Sequence, residues 1–196
     1  MNISKIKKQI RQQTAELVRV VLDSPNRTIF EMPSHIRTVR FNYKYIHVDE
    51  DKNLEESFYL ALPYMQFIIS RFNSNFEVEI GFTTSPMELG DKIYFPLLPN
   101  VSLLHAHRET NSFYVCDGLI TKKAGYKCIS AFEFVDVFWS SKFEQYYGNT
   151  RWPASVLIRD TPLRSYEKWE ELTREKGLSL WDGVNLEDWK LPSKLL

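Results

Sequence analysis

Glycine and cysteine are scarce in this chain, which has seven glycines and two cysteines, Cys116 and Cys128, among 196 residues. With so few glycines a phosphate-cradling loop is not expected, and no GxxxxGK[ST], GxGxxG, GxSxG, HExxH or EF-hand pattern occurs. Two cysteines outside any CxxC pair exclude a disulfide framework. The sequence therefore predicts a protein without a bound cofactor.

Long apolar runs and an excess of charge are also missing. No run reaches the length of a membrane helix, and the basic start lacks the apolar centre of a signal peptide. We therefore expect a cytoplasmic protein. Lys plus Arg and Asp plus Glu both number 25, although residues 1–41 carry eight basic against three acidic residues. A solvated helix face explains this segment most simply, and no basic-aromatic motif predicts a nucleic-acid partner.

Aromatic residues, in contrast, are plentiful at 14% of the chain and favour strands and a bulky core. Polar and apolar residues alternate over residues 37–48 and 76–84, as in half-buried strands. Between them lies the apolar run "SFYLALPYMQFIIS", in which Pro63 marks a bulge or a strand end. These segments predict an antiparallel meander of three or four strands. The run "IYFPLLP" is expected to stay outside regular pairing because of its prolines.

Helical patterns flank the predicted meander. Residues 3–23 have one apolar stripe and end at "SPN", which predicts an N-terminal helix. Helical spacing recurs over residues 128–143 and 164–177, with Ser165 as cap and Gly177 as end of the last helix. The fold class is therefore α+β. We place one domain at residues 1–149 and a C-terminal helical extension at 150–196, packed on that domain or on a partner.

Four residues of metal-ligating type, His105, His107, Cys116 and Cys128, could form a metal site. The segment "HAH" puts both imidazoles on one side of an extended backbone. The intervals to the cysteines match no common zinc spacing. Two polar histidines in a loop are usually solvated, and Cys128 is most simply a small buried hydrophobe. No metal is therefore predicted.

The segment "PLLPNV…SFYVCDGL" resembles the active-site signature of ubiquitin-conjugating (E2) enzymes, in which Pro-Asn-apolar precedes apolar-Cys. Pro99, Asn100 and Val101 align with the first part, and Val115 and Cys116 with the second. Together with "FWSSKF" at residues 138–143, the pattern is most similar to divergent prokaryotic E2-like proteins of phages and mobile elements. The resemblance covers about residues 36–145 and implies a UBC-like fold with an N-terminal helix, a meander and C-terminal helices.

The resemblance also implies a chemistry. Cys116 would carry a ubiquitin-like modifier or another acyl group as a thioester and pass it to an amine. The Asn100 amide would donate to the oxyanion that develops during transfer. Asp117 would orient or deprotonate the incoming amine, although its offset from the cysteine differs from that of the family's aspartate. The implied partners are an E1-like activating enzyme and a ubiquitin-like modifier.

Departures from the family pattern keep a second function open. Leu98 stands where the family has histidine, and fifteen residues separate Asn100 from Cys116, with no glycine among them. The alternative is a non-catalytic E2-like interaction or assembly protein of a phage or mobile element, because a fold does not dictate a function. Its contact surfaces would be the loop at 102–112 and the aromatic tail with Trp169, Trp181 and Trp189. Pro99 and Asn100 would then be only a turn, and Cys116 a buried strand residue.

Overall fold

The computed structural model describes most of the chain between residues 18 and 195 in ten stretches. These are residues 18–44, 53–72, 75–98, 101–106, 110–115, 134–135, 138–139, 143–146, 154–191 and 193–195. Over these stretches the fold is α+β, with antiparallel strand pairing throughout the larger sheet and one helix of more than two turns, near the C-terminal end. The strands are β1 (Arg19–Asp23), β2 (Arg27–Met32), β3 (His35–Lys44), β4 (Asn53–Leu62), β5 (Tyr64–Phe72), β6 (Asn75–Thr83), β7 (Lys92–Tyr94), β8 (Val101–Ala106), β9 (Thr110–Val115), β10 (Phe143–Tyr146) and β11 (Ser193–Leu195).

The helical elements lie towards the C-terminal end of the chain. Helix α1 spans Tyr166–Lys176, and a helical turn at Ala154–Leu157 continues into a 3-10 turn at Ile158–Asp160. A second 3-10 turn, Gly177–Trp181, follows α1. The Ser165 hydroxyl accepts a hydrogen bond from the Lys168 amide at 3.2 Å, and Gly177 ends the helix in left-handed backbone. Both predicted boundaries of this helix are confirmed.

One long hairpin forms the centre of the fold. Strand β2 pairs with β5 and β3 pairs with β4, and the register runs without a shift from Arg27–Ser70 through Met32–Met65 and His35–Leu62 to Lys44–Asn53. Between the second and third of these pairs, Pro33 lies on one arm and Pro63 on the other. Proline has no N–H to donate, so the ladder is interrupted on both arms, at two adjacent positions of the register. The hairpin therefore bends there and divides between two sheets.

The predicted antiparallel pairing is present, but the predicted strands are divided between two sheets: residues 37–44 and 57–62 belong to the smaller sheet, and only residues 64–70 and 76–83 are neighbours in the larger one. The strands of the larger sheet run β1-β2-β5-β6-β7-β11, and the hairpin of β8 and β9 joins it through β6. The four strands β1, β2, β5 and β6 are antiparallel neighbours in that order. The smaller sheet has the order β10-β3-β4, and β10 pairs with β3 in parallel. This sequence-distant pairing of β10 was not predicted.

Several predicted element boundaries are wrong. Arg19–Asp23 was expected to end the N-terminal helix but forms β1, because Val20 and its neighbours pair with β2 across the turn at Ser24–Arg27. Residues 1–17 lie outside the described part of the chain. Residues 92–94 do pair, with β6 and β11, since the first proline of that run comes only at Pro96. The expected loop at 102–112 contains strands β8 and β9.

Helix α1 covers the outer edge of β4. The Tyr59 amide donates to the Glu170 carboxylate at 3.0 Å, and the Ala61 amide donates to the Thr173 hydroxyl at 2.9 Å. The Ala61 carbonyl accepts from the indoles of Trp169 and Trp181, at 2.9 Å each. An exposed strand edge would otherwise present unpaired backbone groups to other chains. Side chains of the C-terminal segment thus take the place of a neighbouring strand.

The core of the described residues is mostly aliphatic, and a group of aromatic rings within it packs against α1. Phe82 meets the rings of Trp169 and Trp181 edge-on at 6.4 and 6.2 Å. Phe138 and Phe134, in short helical segments, pack on Phe67. The Trp169 side chain is fully buried and Trp181 is 4% exposed. These two tryptophans therefore belong to the core and are not the exposed contact surface that the second function would use.

The shared acceptor predicts a non-additive pair of variants. Trp169→Phe or Trp181→Phe alone leaves the Ala61 carbonyl with one indole donor, whereas the double variant leaves it with neither. We expect the double variant to lose about 1–3 kcal/mol more unfolding free energy than the two single losses together, the cost of an orphaned buried acceptor. Denaturant titration of the four proteins measures this coupling. Simple additivity would show that the carbonyl is not the shared partner.

Candidate functional site

The three residues that the sequence assigns to catalysis, Asn100, Cys116 and Asp117, lie outside the described part of the chain. The structure describes the backbone directly beside two of them. Strand β8 begins at Val101, the residue after Asn100, and β9 ends at Val115, the residue before Cys116. The site can therefore be examined through the elements that lead into it and out of it.

The strands that flank the candidate site pair with each other. Strands β8 and β9 form an antiparallel ladder in which Val101 and Val115 are Cα partners. The ladder continues to Ala106 and Thr110 at the other end. The fifteen-residue interval between the predicted asparagine and cysteine is thus largely a hairpin, which returns the chain to its starting level. A longer interval than in the family does not by itself separate the two positions.

A backbone hydrogen bond joins the described residues on either side of Pro99 and Asn100. The Val101 amide donates to the Leu98 carbonyl at 3.0 Å, a bond that spans Pro99 and Asn100. Proline is favoured at the second position of a tight turn and asparagine is a common turn residue. Leu98 and Val101, the two bonded residues, are both buried. The bond agrees with the turn that the sequence allowed for Pro99 and Asn100, and a turn is compatible with both candidate functions.

The approach to this turn is anchored in the core. Phe95 and Leu97 are fully buried, and Leu97 has a φ of 54°, in the left-handed region. The Tyr166 hydroxyl, at the start of α1, donates to the Leu97 carbonyl at 2.8 Å. Tyr166 lies in the segment 164–177, for which the sequence predicts a helix but no contact with the chain before β8. No local signal identifies this bond, because its partners lie 69 positions apart.

Strand β7 is held closely against the meander. A Cβ added to Gly81 of β6 would come within 2.7 Å of the Ile93 Cβ, so only glycine allows this approach. On the other side β7 pairs with β11, with Tyr94 opposite Ser193. Lys92 forms an ion pair with Glu187 at 2.7 Å. The segment that leads to the turn is thus fixed from both sides.

A buried carboxylate lies on the strand beside β9. Glu79 of β6 is 5% exposed and its Cα partner is Tyr114, two residues before Cys116. Alternation over residues 76–84 puts Glu79 among the polar positions of the strand, yet it is buried, as is its partner Ile68 of β5. Glu79 joins the meander to the strand that delivers the predicted nucleophile.

Metal binding finds no support in the described residues. No group of three or more His, Cys, Asp or Glu side chains within them could hold a metal ion. His105 lies in β8, and His107 and Cys128 fall outside the described stretches.

Among the helices of the described residues, none is both long and apolar enough to cross a membrane.

Comparison with known proteins identifies no relative: no family model, curated protein or solved structure matches the chain.

Tyr94 gives a pH-dependent prediction for the anchored β7. Burial raises the pKa of Tyr94 to about 12, and a hydrogen bond to Glu187 and the charge of that carboxylate add to the rise. The protonated Tyr94 side chain therefore contributes to the free energy of unfolding. Because its pKa is raised in the folded protein, this contribution is complete below pH 10 and is lost as the pH rises from 10 to 12. We expect the stability difference between wild type and Tyr94→Phe to shrink over that interval.

Tyrosinate absorbance measures the same group directly. The difference between wild type and Tyr94→Phe should titrate near pH 12, and Glu187→Gln should move the midpoint towards 10, the ordinary tyrosine value. Circular dichroism at each pH confirms that the fold is intact. A midpoint near 10 in both proteins would contradict the proposed contact between Tyr94 and Glu187.

Proposed function

We propose that the chain is an E2-like acyl carrier, which binds a ubiquitin-like modifier or another acyl group as a thioester on Cys116 and transfers it to an amine. The observation that carries the proposal is the Val101–Val115 pairing. Consecutive Cα atoms are about 3.8 Å apart and paired Cα atoms at most about 5.5 Å, so chain connectivity limits the Asn100–Cys116 Cα separation to about 13 Å. The two positions that the chemistry requires are therefore tethered to one end of one hairpin.

The arrangement of the meander also favours a UBC-like fold. Strands β1, β2, β5 and β6 neighbour each other in chain order, and β7 and the turn before β8 follow them. The resemblance likewise implies antiparallel strands before the Pro-Asn segment and the cysteine, and within its range β5, β6 and β7 are such neighbours. The N-terminal helix, over residues preceding β1, and the domain boundary at residues 149 and 150 remain part of the proposal.

The proposed reaction has two steps. The Cys116 thiolate attacks the carbonyl of an activated acyl thioester on an E1-like enzyme, whose own cysteine leaves as a thiolate, so that the acyl group now rests on Cys116. An amine then attacks this second thioester, the Asn100 amide donates to the developing oxyanion, and the carbon–sulfur bond breaks to release the Cys116 thiolate. Asp117 accepts the proton that the amine loses. ATP-dependent activation places this chemistry in the cytoplasm, that of the host if a phage encodes the protein.

The alternative, a non-catalytic E2-like interaction or assembly protein, has less surface available than the sequence suggested. Trp169 and Trp181 are buried, and Trp189 packs against Trp181 with ring centroids 5.5 Å apart. The aromatic tail thus packs within the protein, and the segment of β8 and β9 remains as the other expected contact surface. No described contact favours this function over acyl transfer, and it becomes the conclusion if Cys116 accepts no acyl group.

A peptide thioester tests the proposal without knowledge of the natural modifier. We expect wild type and Cys128→Ala to form a thiol-labile acyl adduct, seen by intact mass, and Cys116→Ala to form none.

Two further variants test the chemistry of transfer. Cys116→Ser should give an ester that resists thiols when an activating enzyme, ATP and modifier are supplied. Asn100→Ala should slow discharge to free lysine by about a hundredfold while the adduct still forms.

The matched cysteine variant decides between specific and incidental acylation. Equal labelling of Cys116 and Cys128, or discharge that does not depend on Asn100, would contradict catalysis. We would then conclude that the chain is the non-catalytic interaction or assembly protein.

A further inference from the structure

We propose that Tyr166 is a positioning residue for the candidate site: its hydroxyl, through the Leu97 carbonyl, fixes the turn that contains Asn100. This inference rests on the proposed function for its catalytic consequence, although its structural part can be tested separately. It connects the C-terminal helix to the site across 69 positions of sequence.

Leu97 requires an external restraint. Left-handed backbone is unfavourable for leucine because its Cβ crowds the following carbonyl oxygen. Leu97 nevertheless has a φ of 54° and is fully buried. A residue in such a conformation persists only when its surroundings hold it, and residues of this kind concentrate at functional sites. The 2.8 Å bond from Tyr166 is a contact that can hold it.

Tyr166 is itself held rigidly. It is the first residue of α1, directly after the capping Ser165. Its ring packs against Phe41, with centroids 4.5 Å apart, against Phe58 at 5.6 Å and against Trp169 at 6.4 Å. Packing against these three rings holds the Tyr166 side chain in place. The hydroxyl therefore imposes a position on the Leu97 carbonyl.

The restraint reaches the turn within one residue. Leu97 is bonded to Leu98, whose carbonyl accepts from the Val101 amide at 3.0 Å and so joins the residues on either side of Pro99 and Asn100. Hydrogen-bond donors to an oxyanion must be aimed closely, and a small misplacement at a distance can cost a large factor in rate. Tyr166 acts on the reaction through this turn and need not touch the substrate.

Tyr166→Phe tests the inference, with Thr173→Val as its matched control. Tyr166→Phe loses one buried hydrogen bond of α1, and Thr173→Val loses two, since the Thr173 hydroxyl accepts from the Ala61 amide and donates to the Trp169 carbonyl, away from the turn. The phenyl ring keeps the aromatic packing, and a domain of this size tolerates the loss of one hydrogen bond. Equal denaturation midpoints would show that the two variants are equally destabilised.

Two readouts separate positioning from general stability. We expect amide exchange at Val101 to rise about 3- to 10-fold in Tyr166→Phe, the range for one lost hydrogen bond, and to stay near wild type in Thr173→Val. We also expect kcat for discharge of the Cys116 thioester to lysine to fall about tenfold in Tyr166→Phe, with the KM for lysine unchanged.

Each result has a definite meaning. If the two variants show the same Val101 exchange, or the same kcat, Tyr166 is only a structural residue and the inference is overturned. If wild type forms no thioester, the proposed function fails, and Val101 exchange alone then decides whether Tyr166 fixes the turn.

Discussion

Two prolines at adjacent positions of one hairpin, one on each arm, mark the point on which this architecture depends. Pro33 and Pro63 each lack a ladder donor, while the register stays continuous on both sides of them. One arm of the bent hairpin contributes β2 and β5 to the meander, and the other contributes β3 and β4 to the smaller sheet. The bend brings the edge of β4, at Ala61, next to the point where the two sheets diverge. Helix α1 and the 3-10 turn after it pack at this corner.

The C-terminal segment completes the corner and is also connected to the candidate site. Its indoles and its threonine hydroxyl satisfy the backbone of β4 at Ala61. Its first helical residue, Tyr166, contacts Phe41 and Phe58 of the smaller sheet and bonds the Leu97 carbonyl before the turn. Strand β11 adds a pairing with β7 from the other side. The bent hairpin and the C-terminal segment thus together position the elements beside the candidate site.

Local sequence signals predicted the elements whose causes are local. Ser165 and Gly177 marked the last helix, and alternation marked β3 and β6, because capping and burial on one face leave direct traces in sequence. Arg19–Asp23 was assigned to a helix because Val21 fits an apolar stripe as well as a strand, and only pairing with β2 decides between them. The parallel pairing of β10, the burial of Glu79 and the Tyr166–Leu97 bond depend on residues far apart in sequence, so no pattern indicates them. For the candidate site, the sequence supplied the residue types, and the structure supplied the paired strands beside them.

The central claim is that folding brings Asn100 and Cys116 together at the end of the β8–β9 hairpin. Disulfide formation measures this most directly, because a bond requires Cα atoms about 4.4–6.8 Å apart. We predict that Asn100→Cys in a Cys128→Ala background forms a disulfide with Cys116 under mild oxidation, seen as a loss of two hydrogen atoms by intact mass. Cysteines placed at Val101 and Val115, which are Cα partners, provide the positive control in a chain without its two natural cysteines. Efficient closure of the control together with free thiols at positions 100 and 116 would contradict the account.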